Sequence, residues 1–333
     1  MRSPLLALAL VVSALPALAQ EVNVYSHRQP ELLQPLVDAF TAETGIAVNV
    51  AFVDKGMAER LVAEGDRSPA DLVLTVDIAR LMQVVEAGVV QPVQSDVLEA
   101  NIPEALRDPN DQWFGLTARA RIVYASKERV QPGEVTTYED LATEKWKGRI
   151  CSRSGLHDYN VALLAAVIAH YDEATATAWA EGLKANLARK PDGGDRDQVK
   201  AIAAGECDIA IGNTYYMGQM LADPEQVAAA ESVNIVFPTF ENGGTHLNIS
   251  GVAMTAAAPN KENALKFMEW LSGDEAQKIY AETNHEYPVK LGVERSALVA
   301  SWGEFTADTK TLVEIAAQRP AAVKIMETVN FDG

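Results

Sequence analysis

"WFGLTARARIVYAS", residues 113–126, decides how the chain is organised. It reads as one long strand, and it interrupts a regular rhythm. Upstream, "VNVYS" (22–26), "IAVNVAFV" (46–53) and "ADLVLTV" (70–76) read as strands. Between and after them, "PELLQPLVDAFTAETG" (30–45), "GMAERLVAEGD" (56–66) and "DIARLMQVVEAG" (77–88) carry apolar residues at helical spacing. Gly45 stops the first helix and Asp77 caps the third. This β-α-β-α-β-α alternation implies a parallel sheet covered by helices. After residue 126 a second α/β series begins, with strands at "GRIC" (148–151), "CDIAIG" (207–212) and "VNIVFPTF" (233–240). "NISGVAMTAAA" (248–258) is a further strand, and the remainder is mostly helical. The segments near 117–126 and 246–255 are the candidate crossovers between two α/β units. Two such lobes joined by two strands form a hinge with a cleft between them, the architecture of a bilobal solute receptor.

The first twenty residues, "MRSPLLALALVVSALPALAQ", are read separately. One early arginine, a short apolar run and an Ala-Leu-Ala ending make residues 1–19 a signal peptide, cut before Gln20. The run is too short to span a bilayer, and no later segment reads as transmembrane. The expected location is the periplasm, without membrane insertion. The boundaries expected for the rest are 20–118 plus about 244–290 for the N-lobe, and 119–243 plus about 291–333 for the C-lobe. A formal charge of −18 argues against nucleic acid or anionic membrane surfaces as partners. The two cysteines, Cys151 and Cys207, are expected to pair in an oxidising compartment.

Ligands of open α/β sheets sit beyond the carboxyl ends of strands. The loops there supply Ser26, His27 and Arg28; then Asp77; then "SRSGLHDYN" (152–160); then Asn213, Thr214, Tyr215 and Tyr216. The first crossover adds Arg119 and Arg121. Three tyrosines, Tyr159, Tyr215 and Tyr216, thus fall on two loops of one lobe. Adjacent tyrosines diverge in a strand or a helix interior, and only a turn or a helix's first turn brings both to one point. A phenol titrates near ~10 and ionises at neutral pH only when a cation displaces its proton. Phenolate is a hard donor suited to Fe(III), and three of them neutralise the ion. Remaining positions could go to a small anion held by arginine and helix N-terminal N–H groups. Other readings stay open. Paired tyrosines serve packing or sugar stacking. Arg28 and Arg119 could be structural ion pairs, and His27 a satisfied loop histidine. His157 with Asp158 could do acid–base chemistry in a secreted hydrolase. "HEY" (285–287) lacks the H-E-x-x-H spacing of a zinc protease, and no P-loop, G-x-S-x-G or C-x-x-C motif is present.

Several stretches resemble the periplasmic ferric-iron-binding proteins of ABC importers, in family order and over most of the chain from Glu21. They include "VNVYSHRQP", "SPADLVLTVDIARL", "NDQWFGLTARARIVYASKERV", "SGLHDYNVALLAA", "CDIAIGNTYYMGQML" and "NHEYPVK". The resemblance implies a bilobal fold and Fe(III) held by Tyr159, Tyr215 and Tyr216. Where some members supply a further His or Tyr, this chain has Gln29 and Pro30, neither a good Fe(III) ligand. It is therefore similar to the branch with a tyrosine trio and a bound anion such as carbonate. Arg119, between the lobes, is the foremost anion partner, followed by Arg28 and then His27. The expectation is a monomeric receptor without catalytic activity, delivering Fe(III) to a permease and its ATPase. The rivals are a receptor for a small anion or polyamine, and the hydrolase.

Overall fold

The computed structural model describes residues 20–333, so the expected signal peptide at 1–19 lies outside the described residues. Ten strands are present among them: β1 (Glu21–Ser26), β2 (Ala47–Phe52), β3 (Leu72–Thr75), β4 (Val90–Gln91), β5 (Phe114–Ser126), β6 (Ile150–Cys151), β7 (Ile209–Asn213), β8 (Val233–Val236), β9 (Leu247–Thr255) and β10 (Tyr287–Pro288). They run in the order β2-β1-β3-β9-β5-β7-β6, with β4 on β9 and with β8 and β10 on β5.

The alternation in the first ninety residues gives parallel pairing of β1 with β2 and β3, as expected. The two long strands then run antiparallel to their neighbours, so the sheet is mixed. A strand that carries the chain from one lobe to the other must return against its partner. β5 does this visibly. Residues 114–120 pair with β9, whereas residues 121–126 pair with β7 and β8. All thirteen residues of β5 are buried, including both arginines. Arg119 and Arg121 lie two residues apart, so they share a face of the strand.

The helix Ile78–Glu86 is capped by Asp77, whose side chain accepts from the backbone N–H groups of Ala79 and Arg80. The helix Pro30–Thr44 ends at Gly45 with φ 72°, a left-handed position that glycine adopts without strain. The helix Asp158–His170 is buried nearly all round, from Tyr159 to Ile168. Each large aliphatic side chain so buried contributes roughly 1.5–3 kcal/mol, which fixes the helix firmly under the cleft. The helix Arg319–Thr328 packs on it and on the helix Glu173–Ala185. Cys151, at the end of β6, forms a disulfide with Cys207, two residues before β7. The bridge reinforces the parallel pairing of these two short strands. Among the described residues no helix is long and apolar enough to cross a membrane.

Candidate functional site

β6 and β7 are parallel neighbours, and each runs into a helix at its carboxyl end. Tyr159 is in the first turn of the helix Asp158–His170. Tyr215 and Tyr216 are in the first turn of the helix Thr214–Ala222. This answers what adjacent phenols need: the first turn lets both approach one point. The Tyr159 and Tyr215 hydroxyls are 3.3 Å apart, and the Tyr215 and Tyr216 rings are 4.1 Å between centroids.

Two glycines of "GNTYYMG" are dictated by close approach. A Cβ on Gly212 would stand 2.1 Å from the Tyr124 ring, and one on Gly218 would stand 2.3 Å from the His285 ring. The tyrosine helix therefore sits directly against its neighbours at both ends of the motif.

The trio opens into a cleft of about 180 Å³. Its walls come from both halves of the chain: His27, Arg28, Asp54 and Arg80 on one side, Arg153 and the tyrosines on the other, with Arg119 between. Burial, together with Tyr159 and Tyr216, pushes the Tyr215 phenol well above its ordinary value of 10. Burial, Tyr159 and Asp195 likewise raise that of Tyr216. Both phenols are protonated in the empty cleft at neutral pH.

The arginines separate into two kinds. Arg28 is neutralised by Glu286 at 2.9 Å and also donates to Ser250 Oγ. Arg119 is 1% exposed and has no carboxylate partner among the described residues. Its Nη1 donates to Ser250 Oγ at 3.1 Å, and its Nε has no partner. A buried guanidinium without a counter-ion is costly, and an anion in the cleft would supply one. His27 lines the cleft with an unpartnered Nδ1, and burial plus Arg80 lowers its imidazole to about 4.

The His157–Asp158 pair is not an acid–base dyad. His157 Nδ1 accepts from the Tyr159 backbone N–H as a helix cap. The Asp158 carboxylate accepts from Arg80 Nε at 2.6 Å and Arg319 Nη2 at 3.2 Å. Among the described residues no cluster of three or more His, Cys, Asp or Glu could hold a metal. Sequence reasoning did not single out Arg80, Glu286 or Asp195. Their partners lie tens to hundreds of residues away, and no local spacing signals them.

Residues 35–307 match the family model "Bacterial extracellular solute-binding protein". The chain is 46% identical to "Iron uptake protein A1" of Synechocystis over 95% of its own length and 89% of that protein's. It is similar to the crystal structure of apo ferric ion-binding protein A from Pasteurella haemolytica, with TM-score 0.92, 54% identity and coverage of 95% and 99% of the two chains. The Trichodesmium protein IdiA (FutA), solved with iron and citrate ligands, matches at 42% identity and TM-score 0.88, covering 93% of this chain and 99% of that one.

Proposed function

The chain belongs to the bacterial extracellular solute-binding proteins, and from that premise we propose that it is a periplasmic Fe(III) receptor serving an ABC importer. The observation that carries the reading is the convergence of three phenols, from two helix first turns, on one small arginine-lined cleft. Tyr159, Tyr215 and Tyr216 bind Fe(III) as phenolates, displacing three protons and cancelling its charge. Arg119 holds a small bidentate anion, carbonate in the simplest case, against the ion. Arg28 and His27 border that anion, Arg28 with its charge already met by Glu286. The protein carries its cargo and catalyses no reaction.

Residues 1–19 act as a cleaved export signal. The N-lobe comprises 20–118 and about 244–290, and the C-lobe 119–243 and about 291–333. The mature monomer closes on iron and hands it to the permease and its ATPase. The cleft volume of about 180 Å³ supports an ion with a small anion. Pockets for larger organic ligands span ~300–1,000 Å³, and a polyamine would face several guanidiniums.

Tyr215→Phe and Tyr216→Phe test the reading, because each keeps the ring and removes the ligand oxygen. Equilibrium dialysis against a ferric chelate should find strongly weakened iron retention in both, with native circular dichroism. Full retention in both variants would sink the assignment.

A further inference from the structure

Behind the three phenols lies a buried carboxylate with an unusual set of partners. Asp195 is 1% exposed and opens the helix Asp195–Ala203. Its Oδ2 accepts from Arg121 Nη1 at 2.7 Å and from the backbone N–H of Asn213 at 2.9 Å. Its Oδ1 accepts from Arg153 Nη1 at 3.0 Å. Asn213 immediately precedes the helix that carries Tyr215 and Tyr216. Arg121 also donates through Nη2 to Asn160 Oδ1 at 2.7 Å, and Asn160 follows Tyr159 in the chain. Asn160 in turn donates to Ser152 Oγ and to the carbonyls of Arg153 and Ser154, each at 3.1 Å. One carboxylate thus reaches both tyrosine-bearing segments, directly at Asn213 and through Arg121 at Asn160.

The same group sets the charge around Tyr159. The guanidinium carbons of Arg121 and Arg153 lie 5.8 and 5.3 Å from the Tyr159 ring centroid. Without Asp195 they would be two unbalanced cations beside a site that must accept a trivalent one. With it, one of those two charges is cancelled within hydrogen-bonding distance, while Arg119, 5.9 Å from the same centroid, makes no contact with Asp195. Burial alone would raise the Asp195 carboxyl, yet the two guanidiniums hold it below the usual carboxylate range, so it stays ionised.

We infer that Asp195 is a positioning residue of the iron site: it fixes Tyr159 relative to the Tyr215–Tyr216 pair and offsets the charge of Arg121 and Arg153, two of the three guanidiniums that flank the Tyr159 ring. The inference rests on the Fe(III) reading above. Groups just outside a ligand shell orient the ligands and tune the metal, and their loss typically weakens metal affinity about 10- to 100-fold.

The test compares full-length mature wild type, Asp195→Asn and Arg153→Gln. Fe(III) affinity is measured by competition with citrate, and the phenolate-to-iron charge-transfer band by visible absorption. Asp195→Asn keeps the volume and removes the charge. Its affinity should fall about 10- to 100-fold. Its band should move to shorter wavelength, because unbalanced guanidiniums beside the ring stabilise the phenolate's filled orbitals. Arg153→Gln removes one cation from a partly exposed position and leaves Asp195 bonded to Arg121 and Asn213. Its band should move the opposite way, to longer wavelength. A loosened structure alone would not shift the two variants in opposite directions. Native-like affinity and band in folded Asp195→Asn overturns the inference, as do shifts of the same sign in the two variants. If Asp195→Asn does not fold, an unmoved band in Arg153→Gln overturns it. A wild type that binds no ferric ion overturns the receptor reading as well, whereas a binding wild type matched by Asp195→Asn overturns only the role of Asp195.

Discussion

In the proposed site, Arg119 is the residue on which anion binding rests. It is buried, it has one hydrogen bond to a serine, and among the described residues no carboxylate forms an ion pair with it. The pH dependence of iron binding follows from its neighbours. Burial raises the Tyr215 and Tyr216 phenols, so both are protonated at neutral pH, and an iron ion bound as proposed would have to displace those protons. Acid favours the protonated, iron-free form, so affinity falls as pH falls, with several protons taken up per ion released. Arg119→Ala should move the pH midpoint of iron loss upward. A 10- to 100-fold weaker complex exchanging three protons shifts it by about 0.3–0.7 pH units. Arg119→Lys should recover only part, because a point charge cannot reproduce the planar fork. A spectrophotometric pH titration at fixed iron and bicarbonate measures all three proteins. Coincident midpoints would remove Arg119 from the site. At this scale the placement of the tyrosines and Arg119 on one cleft was legible, because strand ends and a crossover position are local features. Asp195 and Glu286 were not. A buried carboxylate acquires meaning from its partners, and Arg121 and Arg28 lie 74 and 258 positions away.

The element that matters most is the helix Thr214–Ala222. It carries Tyr215 and Tyr216, two of the proposed ligands, in its first turn, and its second turn is pressed against His285 at Gly218. Gly218→Ala places a methyl where the near end of the His285 side chain already stands, so the helix or the 285 loop must shift. Overpacking of this kind costs typically about 1–3 kcal/mol, and here it would displace Tyr215 and Tyr216 as well. Thermal unfolding should register the destabilisation, and iron affinity should fall with it. A variant with wild-type stability and affinity would mean that the contact is slack. The Cys151–Cys207 bridge supports the same region by closing a loop with a sequence separation of 56. Replacing both cysteines with alanine should lower stability by about 2–4 kcal/mol in chemical denaturation. An unchanged denaturation midpoint would deny the bridge a stabilising role. The strands and helices were largely visible in the sequence because apolar periodicity and caps such as Asp77 mark them directly. The antiparallel course of the crossovers was not, since a strand's direction is decided by partners more than a hundred residues away, as β5 and β9 illustrate.

Across the whole molecule, side chains from opposite sides of the cleft meet in one ion-pair group. Arg80, after β3, meets Asp158, after β6, at 2.6 Å, and Arg319 of the helix Arg319–Thr328 completes the group at 3.2 Å. The pair is mostly shielded from solvent, so its loss should register more strongly than that of a surface ion pair. Arg80→Ala should speed iron release to a chelator in stopped flow by several-fold while leaving the tyrosine band in place. Release at the wild-type rate would show that this pair does not hold the closed state. Stability of the iron-free protein also carries a pH signature. Burial, aided by nearby arginines, lowers His27 and His246 to about 4 and His157 to about 3, against an ordinary 6.5. The unfolded chain therefore takes up protons that the folded one refuses, and stability declines as pH falls from about 6.5 toward 4. Melting temperatures at neutral pH and at mildly acidic values check this, and a flat profile would contradict it.

The central claim is that three phenols of this chain bind ferric ion as phenolates. A titration of the purified iron-free protein with ferric citrate, followed by visible absorption, tests it most directly. The account predicts a charge-transfer band that grows to saturation at one iron per chain and is lost from the Tyr215→Phe, Tyr216→Phe double variant. A protein that stays colourless through the titration, or a double variant that colours like wild type, would contradict it.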